Sequence, residues 1–229
     1  MTHIHFTDIC DVLGLRPLQQ TGNVAVDTIL TDSRRLLLGE GSLFVAISST
    51  HKNANEFIWP LYQRGVKAFI LDREPDASLR NQLPDASILL VPDALTALQQ
   101  LAAWKRHLFD YPVIGITGSN GKTIVKEWLY QLLNDRYHIV RSPKSYNSQI
   151  GVPLSVWAMQ ANHTLGIFEA GISQRGEMHR LQPVIDPSIG ILTFMGEAHA
   201  EGFRSMEEKI REKLQLFRTA RQLVYASDD

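Results

Sequence analysis

Apolar runs of strand length alternate along this chain with longer segments whose apolar residues recur at helical spacing. That alternation restricts the fold more than any other feature. The runs are "AVDTIL", "GSLFVAIS", "KAFILD" and "SILLVPD", then "PVIGITG", "YHIVRS", "TLGIFEAGIS", "SIGILTFMG" and "QLVYASD". Strands separated by helices pair in parallel through right-handed crossovers, so the expected class is α/β. The segment "NEFIWPLYQRG" has helical spacing and ends at Gly65, a helix C-cap residue. "KTIVKEWLYQLLND" is expected to carry Ile124, Val125, Trp128, Leu129, Leu132 and Leu133 on one side, and "SMEEKIREKLQLFRTA" to turn Ile210, Leu214 and Phe217 inward.

A strong helix, "ALTALQQLAAWKRHLF", closes the first set of runs, and Pro112 restarts the pattern. The boundary is therefore placed near Phe109–Pro112, giving a small N-terminal α/β domain over residues 1–109 and a parallel-sheet domain over 110–229. With 44% hydrophobic and 21% charged residues, the composition is that of a globular protein. Net charge is −1 with no basic block, which argues against a protein that binds nucleic-acid phosphates. No apolar stretch is long enough to cross a bilayer, and membrane insertion is not expected. Cys10 is the only cysteine, so an internal disulfide is impossible and a reducing cytoplasm is the expected location.

The stretch "GITGSNGKT", Gly115 to Thr123, ends like a phosphate-binding loop, yet the usual glycine five positions before Gly121 is Ile116. Its context is the required one, a strand before and an amphipathic helix after. Amides of such a turn and of the helix start attract anions, and Gly118 and Gly121 let the backbone approach oxygen atoms. Lys122 is a candidate cation for phosphates and Thr123 a candidate hydroxyl for Mg²⁺. Gly118, Ser119, Asn120, Gly121, Lys122 and Thr123 together form the candidate nucleotide loop. A strand-to-helix turn with a solvated lysine is the alternative.

The compact "TGSNGKT" resembles the loop of the Mur ligases, the ATP-dependent amide-forming enzymes of peptidoglycan precursor synthesis. "FEAGIS" resembles that family's strand ending in a glutamate, here Glu169. "GEAHAEGFRS" resembles its "GxAHxExxxS" segment, with His199, and the helix that follows resembles the one bearing a carbamylated lysine, which falls on Lys213. "TDSR" followed by "GSLFVAI" is similar to the family's first domain, and "SYNSQIGVP" to its asparagine-rich segment. The wording is most similar to members that join D-Ala-D-Ala to a UDP-N-acetylmuramoyl tripeptide. The resemblance implies ATP and Mg²⁺ as cofactors, Lys122, Lys213 and His199 as catalytic residues, and Thr123, Glu169 and His199 on metal ions. It also implies that Ser33, Arg34 and Asn147 touch the UDP-linked substrate, that residues 1–109 bind that substrate, and that 110–229 begin an ATPase domain.

The sequence departs from the family pattern at Asn53 and Asn55, and at Ser145 and Ser148, where asparagines are usual. Without the resemblance, Lys209, Arg211, Glu212 and Lys213 read as a solvated helix face. A family member of this type has further domains, so the chain is expected to be an N-terminal part of a longer ligase, in some bacteria followed by an alanine racemase. Two alternatives stay open: a non-catalytic UDP-sugar-binding module of the same fold, and another P-loop phosphotransferase.

Overall fold

The computed structural model describes residues 3–35, 39–48, 53–196 and 202–226. The chain forms two compact units, Met1–Leu101 and Ala102–Asp229. The division falls eight residues before the end of the first domain as placed from the sequence, inside a helix rather than at Pro112.

The first unit holds a four-stranded parallel sheet of strands β1 (Thr28–Leu30), β2 (Ser42–Ala46), β3 (Ala68–Leu71) and β4 (Ser87–Leu90), in that spatial order. β2 and β3 are buried along their whole length, which is why both read as unbroken apolar runs. Helices α1 (Phe6–Leu13), α2 (Ile58–Gln63) and α3 (Ala77–Asn81) accompany the sheet, and α4 (Ala94–Arg106) crosses into the second unit. α2 packs Ile58 and Leu61 into a core with Phe44, Phe69, Leu71 and Ile88. Gly65 follows α2 at φ 93°, as a C-cap glycine should.

The second unit is a five-stranded parallel sheet ordered β6 (Ile139–Arg141), β7 (Leu165–Glu169), β5 (Val113–Thr117), β8 (Ile189–Leu192), β9 (Gln222–Tyr225). Among the described residues, helices α5 (Lys122–Leu133), α6 (Gly151–Trp157), α7 (Glu177–Ile185) and α8 (Met206–Leu214) connect these strands. β5 and β7 lie side by side at the centre, so the turns leaving them open at the same carboxyl-end edge, where open parallel sheets bind ligands.

Two inward faces differ from expectation. On α5, Val125, Leu129 and Leu133 pack on Ile114, Ile116, Leu165 and Ile167, whereas Ile124, Trp128 and Leu132 are 57%, 62% and 76% exposed. Residues i and i+1 sit about 100° apart on a helix, so one sheet can cover only one of these two stripes. On α8 the buried residues are Lys209, Glu212 and Lys213, while Leu214 lies at the surface and Ile210 is half-buried. Phe217 is buried as expected.

Candidate functional site

β5 ends at Thr117, and residues 118–121 turn the chain into α5. Gly118 has φ 152°, and a Cβ there would lie 2.0 Å from the Thr193 hydroxyl oxygen, so only glycine fits. Gly121 caps α5 from the left-handed region at φ 85°. The segment after β8 braces the turn: the Ser119 amide donates to the Phe194 carbonyl at 2.8 Å, and the Asn120 amide to the same oxygen at 3.4 Å. The Ser119 hydroxyl donates to Gly196 O, and the Thr193 hydroxyl to Asn120 O. Two of the loop amides expected to meet phosphate are thus spent on the loop's own shape. The anion-attracting groups are the first amides of α5, which have no acceptor within the helix.

Lys122 folds back over the turn, its Nζ donating to the carbonyls of Gly118 at 2.9 Å and Ser119 at 3.1 Å. Lys213 reaches the Gly118 carbonyl from α8 at 3.1 Å, and Lys209, also on α8, donates to Gly196 O. Both α8 lysines are almost wholly buried. Ser205 starts that helix by accepting from the Glu208 amide, and Glu212 fixes it to the N-cap of α7 by accepting from the Gly176 amide at 2.7 Å. The buried face of α8 is therefore polar but bonded, which a hydrophobic-period reading cannot find. Burial lowers the Lys122 amine below the ordinary lysine range. For Lys213, burial first, then the charges of Lys122 and Lys209, push it down to about 8.

Glu169 ends β7 with no exposed surface, and its Oε2 accepts from the Thr123 hydroxyl at 2.8 Å. The Ser145 hydroxyl lies 3.4 Å from that of Thr123. Asn147, one of the residues expected on the substrate, accepts from the Gly171 amide through its carbonyl, just past the end of β7. The neighbouring departure, Ser148, bonds the Gly151 amide at the start of α6. His199 lies outside the described residues. Lys126 escaped the sequence reading; it is fully buried and bonded beside Glu169. Its signal was present as the third residue after Thr123, one helical turn along the same face.

The oxygen donors of Thr123, Glu169 and Ser145 fit magnesium, which is held by one or two carboxylates and completes its shell with other oxygens, water and phosphate. Among the described residues no group of three or more His, Cys, Asp or Glu could hold a metal ion. A cation shared between these oxygens and a phosphate fits.

Residues 116–229 match the Mur ligase middle domain. The chain belongs to the Mur ligase family. Among curated relatives, the UDP-N-acetylmuramoyl-tripeptide–D-alanyl-D-alanine ligase of Bacillus subtilis is 31% identical over 221 residues, covering 95% of this chain and 47% of that protein. A solved MurF structure from Acinetobacter baumannii superposes with a TM-score of 0.87 at 24% identity, over all of this chain and 50% of its own, which bears on the fold. The MurF ligase of Thermotoga maritima, solved in complex with ADP, gives 0.76 at 26% identity over 89% of this chain and 46% of its own. The chain thus spans about half the length of the Mur ligases it matches.

In the first unit, Ser33 and Arg34 form a 3₁₀ turn after β1. Arg34 is exposed and grips Asp32 with Nη2 at 2.7 Å and Nε at 2.9 Å. Asn53 and Asn55, where the family pattern differs, cap the turn before α2: Asn53 accepts from the Asn55 amide, and the Asn55 side chain donates to Arg73 O. Among the described residues no helix is long and apolar enough to cross a membrane.

Proposed function

We propose that this chain supplies the UDP-substrate-binding and phosphate-binding parts of a cytoplasmic ATP-dependent ligase that joins D-Ala-D-Ala to a UDP-N-acetylmuramoyl tripeptide. The observation that carries this reading is the convergence at one sheet edge of the 118–123 turn, Lys122 and Lys213 on the Gly118 carbonyl, and Glu169 on Thr123. ADP in the Thermotoga relative supports the same ligand class here.

The tripeptide carboxylate takes the γ-phosphoryl group of ATP to become an acyl phosphate; the amine of D-Ala-D-Ala then attacks its carbonyl carbon and phosphate leaves. Transfer between two anions is governed by positioning and by fixed positive charge. Lys122 leaves the two loop carbonyls and turns to the β- and γ-phosphates, while the first amides of α5 hold the phosphate oxygens. Thr123 and Glu169 would hold Mg²⁺, which neutralises charge on the transferred group. His199, placed by family resemblance alone, would serve a second ion. A carbamylated Lys213 would add an anion there, and an amine with a lowered pKa offers the neutral form that CO₂ requires. Ser33, Arg34 and Asn147 would contact the UDP-linked substrate.

Calorimetric titration of ADP and Mg²⁺ into this chain and into Lys122→Ala tests the reading. Loss of a charge-assisted phosphate contact costs roughly 1.5–3 kcal/mol, so the variant should bind about tenfold more weakly or worse. Equal affinity would remove the turn as the nucleotide site.

A further inference from the structure

Lys126 has no exposed surface, yet it carries a cation and lies among acceptors that hold two different parts of the site. Its Nζ donates to Ser142 O at 2.8 Å and to Lys144 O, both in the segment leaving β6, and stands 3.4 Å from Glu169 Oε1. Glu127 Oε1 is also within 3.3 Å, but that carboxylate has its own cation: Arg141 Nη1 lies 2.6 Å from both of its oxygens, under the ring of Tyr130. With Arg141 on Glu127, Lys126 is the cation in ion-pair distance of Glu169, which also feels the charge of Lys122, and neither side chain of the Lys126–Glu169 pair has exposed surface.

Helix geometry makes the arrangement specific. Thr123 and Lys126 are three residues apart and point the same way from α5. The hydroxyl meets Glu169 Oε2 and the ammonium faces Oε1. A carboxylate fixed at both oxygens has one rotational setting, with Oε2 turned toward the phosphate turn. The hydroxyl can rotate to accept instead of donate, which leaves Oε2 and the Thr123 oxygen both facing an incoming cation. The ammonium cannot leave, because it is bound to two backbone carbonyls as well. Groups that orient a metal-holding carboxylate from behind commonly matter nearly as much as the ligand itself.

We propose that Lys126 is the positioning residue of the Glu169 carboxylate: it holds Oε1 so that Oε2 is presented to the divalent cation, and it ties that carboxylate to the 142–147 segment carrying Ser145 and Asn147. This rests on the reading of Thr123 and Glu169 as the magnesium side of the nucleotide site.

The test measures ADP affinity of this chain with and without Mn²⁺, for the wild type and Lys126→Met, which keeps most of the volume and removes the charge. The expected result is that the variant loses about tenfold or more of the Mn²⁺-dependent gain, while metal-free ADP binding stays at the wild-type level because the turn is intact. A residue that merely props up the fold would leave the ratio of the two affinities, and so the Mn²⁺-dependent gain, unchanged. If the wild type shows no Mn²⁺-dependent gain, the site reading falls and this inference falls with it. If the wild type shows the gain and Lys126→Met keeps it, the site reading stands and Lys126 is not its positioning residue. If Lys126→Met fails to fold or loses metal-free binding as well, the double variant Lys126→Met/Glu169→Gln decides. Recovery of a wild-type melting temperature and of metal-free ADP binding in the double variant supports the pairing of Lys126 with Glu169. No recovery assigns Lys126 to the backbone carbonyls alone and overturns the proposal.

Discussion

Lys213 carries the clearest residue-scale consequence of burial. Its amine is lowered from the ordinary 10.5 to about 8 in the folded chain. Between those values the unfolded chain holds a proton that the folded chain has released, so stability rises with pH from about 8 to about 10. Below pH 8 both states are protonated, and the folded state carries the full cost of the buried ammonium. Lys213→Met should therefore flatten this rise and be the more stable protein at pH 7.5. Guanidinium unfolding of both proteins at pH 7.5 and 9.5 checks it, and equal slopes with pH would show that the amine is not desolvated. The same lowered amine is open to CO₂, so ¹³C-bicarbonate added to the wild type but not to Lys213→Met should give a carbamate resonance once nucleotide and Mg²⁺ are present.

At the scale of elements, α8 is the helix whose role depends most on its ends. Its buried face is Lys209, Glu212 and Lys213, which bond Gly196 O, the Gly176 amide and Gly118 O, so hydrophobic burial contributes little to its docking. Its start is fixed by the Ser205 hydroxyl, which accepts from the Glu208 amide at 3.1 Å, and its last turn by the bond between Glu212 and Gly176. Ser205→Ala should cost about 1 kcal/mol of global stability and weaken ADP binding without changing any residue of the turn itself. Chemical denaturation and an ADP titration measure the two effects. Unchanged affinity would mean that α8 keeps its place without its cap. The sheet has the opposite dependence: β5 and β7 are buried throughout, and their parallel register brings Ile116 opposite Glu169, which aligns the turn with the carboxylate.

Across the whole molecule, each unit has its own parallel sheet and its own apolar core. If the first unit serves the UDP-linked substrate and the second the nucleotide, the two affinities should separate by mutation. Arg34→Ala is expected to weaken UDP binding several-fold and leave ADP binding unchanged; Lys122→Ala should do the reverse. Paired titrations of UDP and ADP against both variants check this, and a variant that weakens both ligands equally would contradict the division of labour.

Strand-length runs, helical spacing and the glycines of "TGSNGKT" were enough to specify parallel α/β order and the position of the 118–121 turn, because backbone geometry and local sterics act within a few residues. Glu169 was legible as the polar end of an apolar run. α1, held by His5 with Asp8 and closed by Gly14, and α7, interrupted in pattern by Pro183, were not. Periodicity alone could not tell which apolar stripe of α5 meets the sheet, nor that the charged stripe of α8 is the buried one. A buried lysine and an exposed lysine have the same letter; only tertiary packing brings Gly118, Gly196, Ser142 and Glu169 to within bonding distance of Lys213, Lys209 and Lys126 and supplies the carbonyls and carboxylate that make burying those charges tolerable.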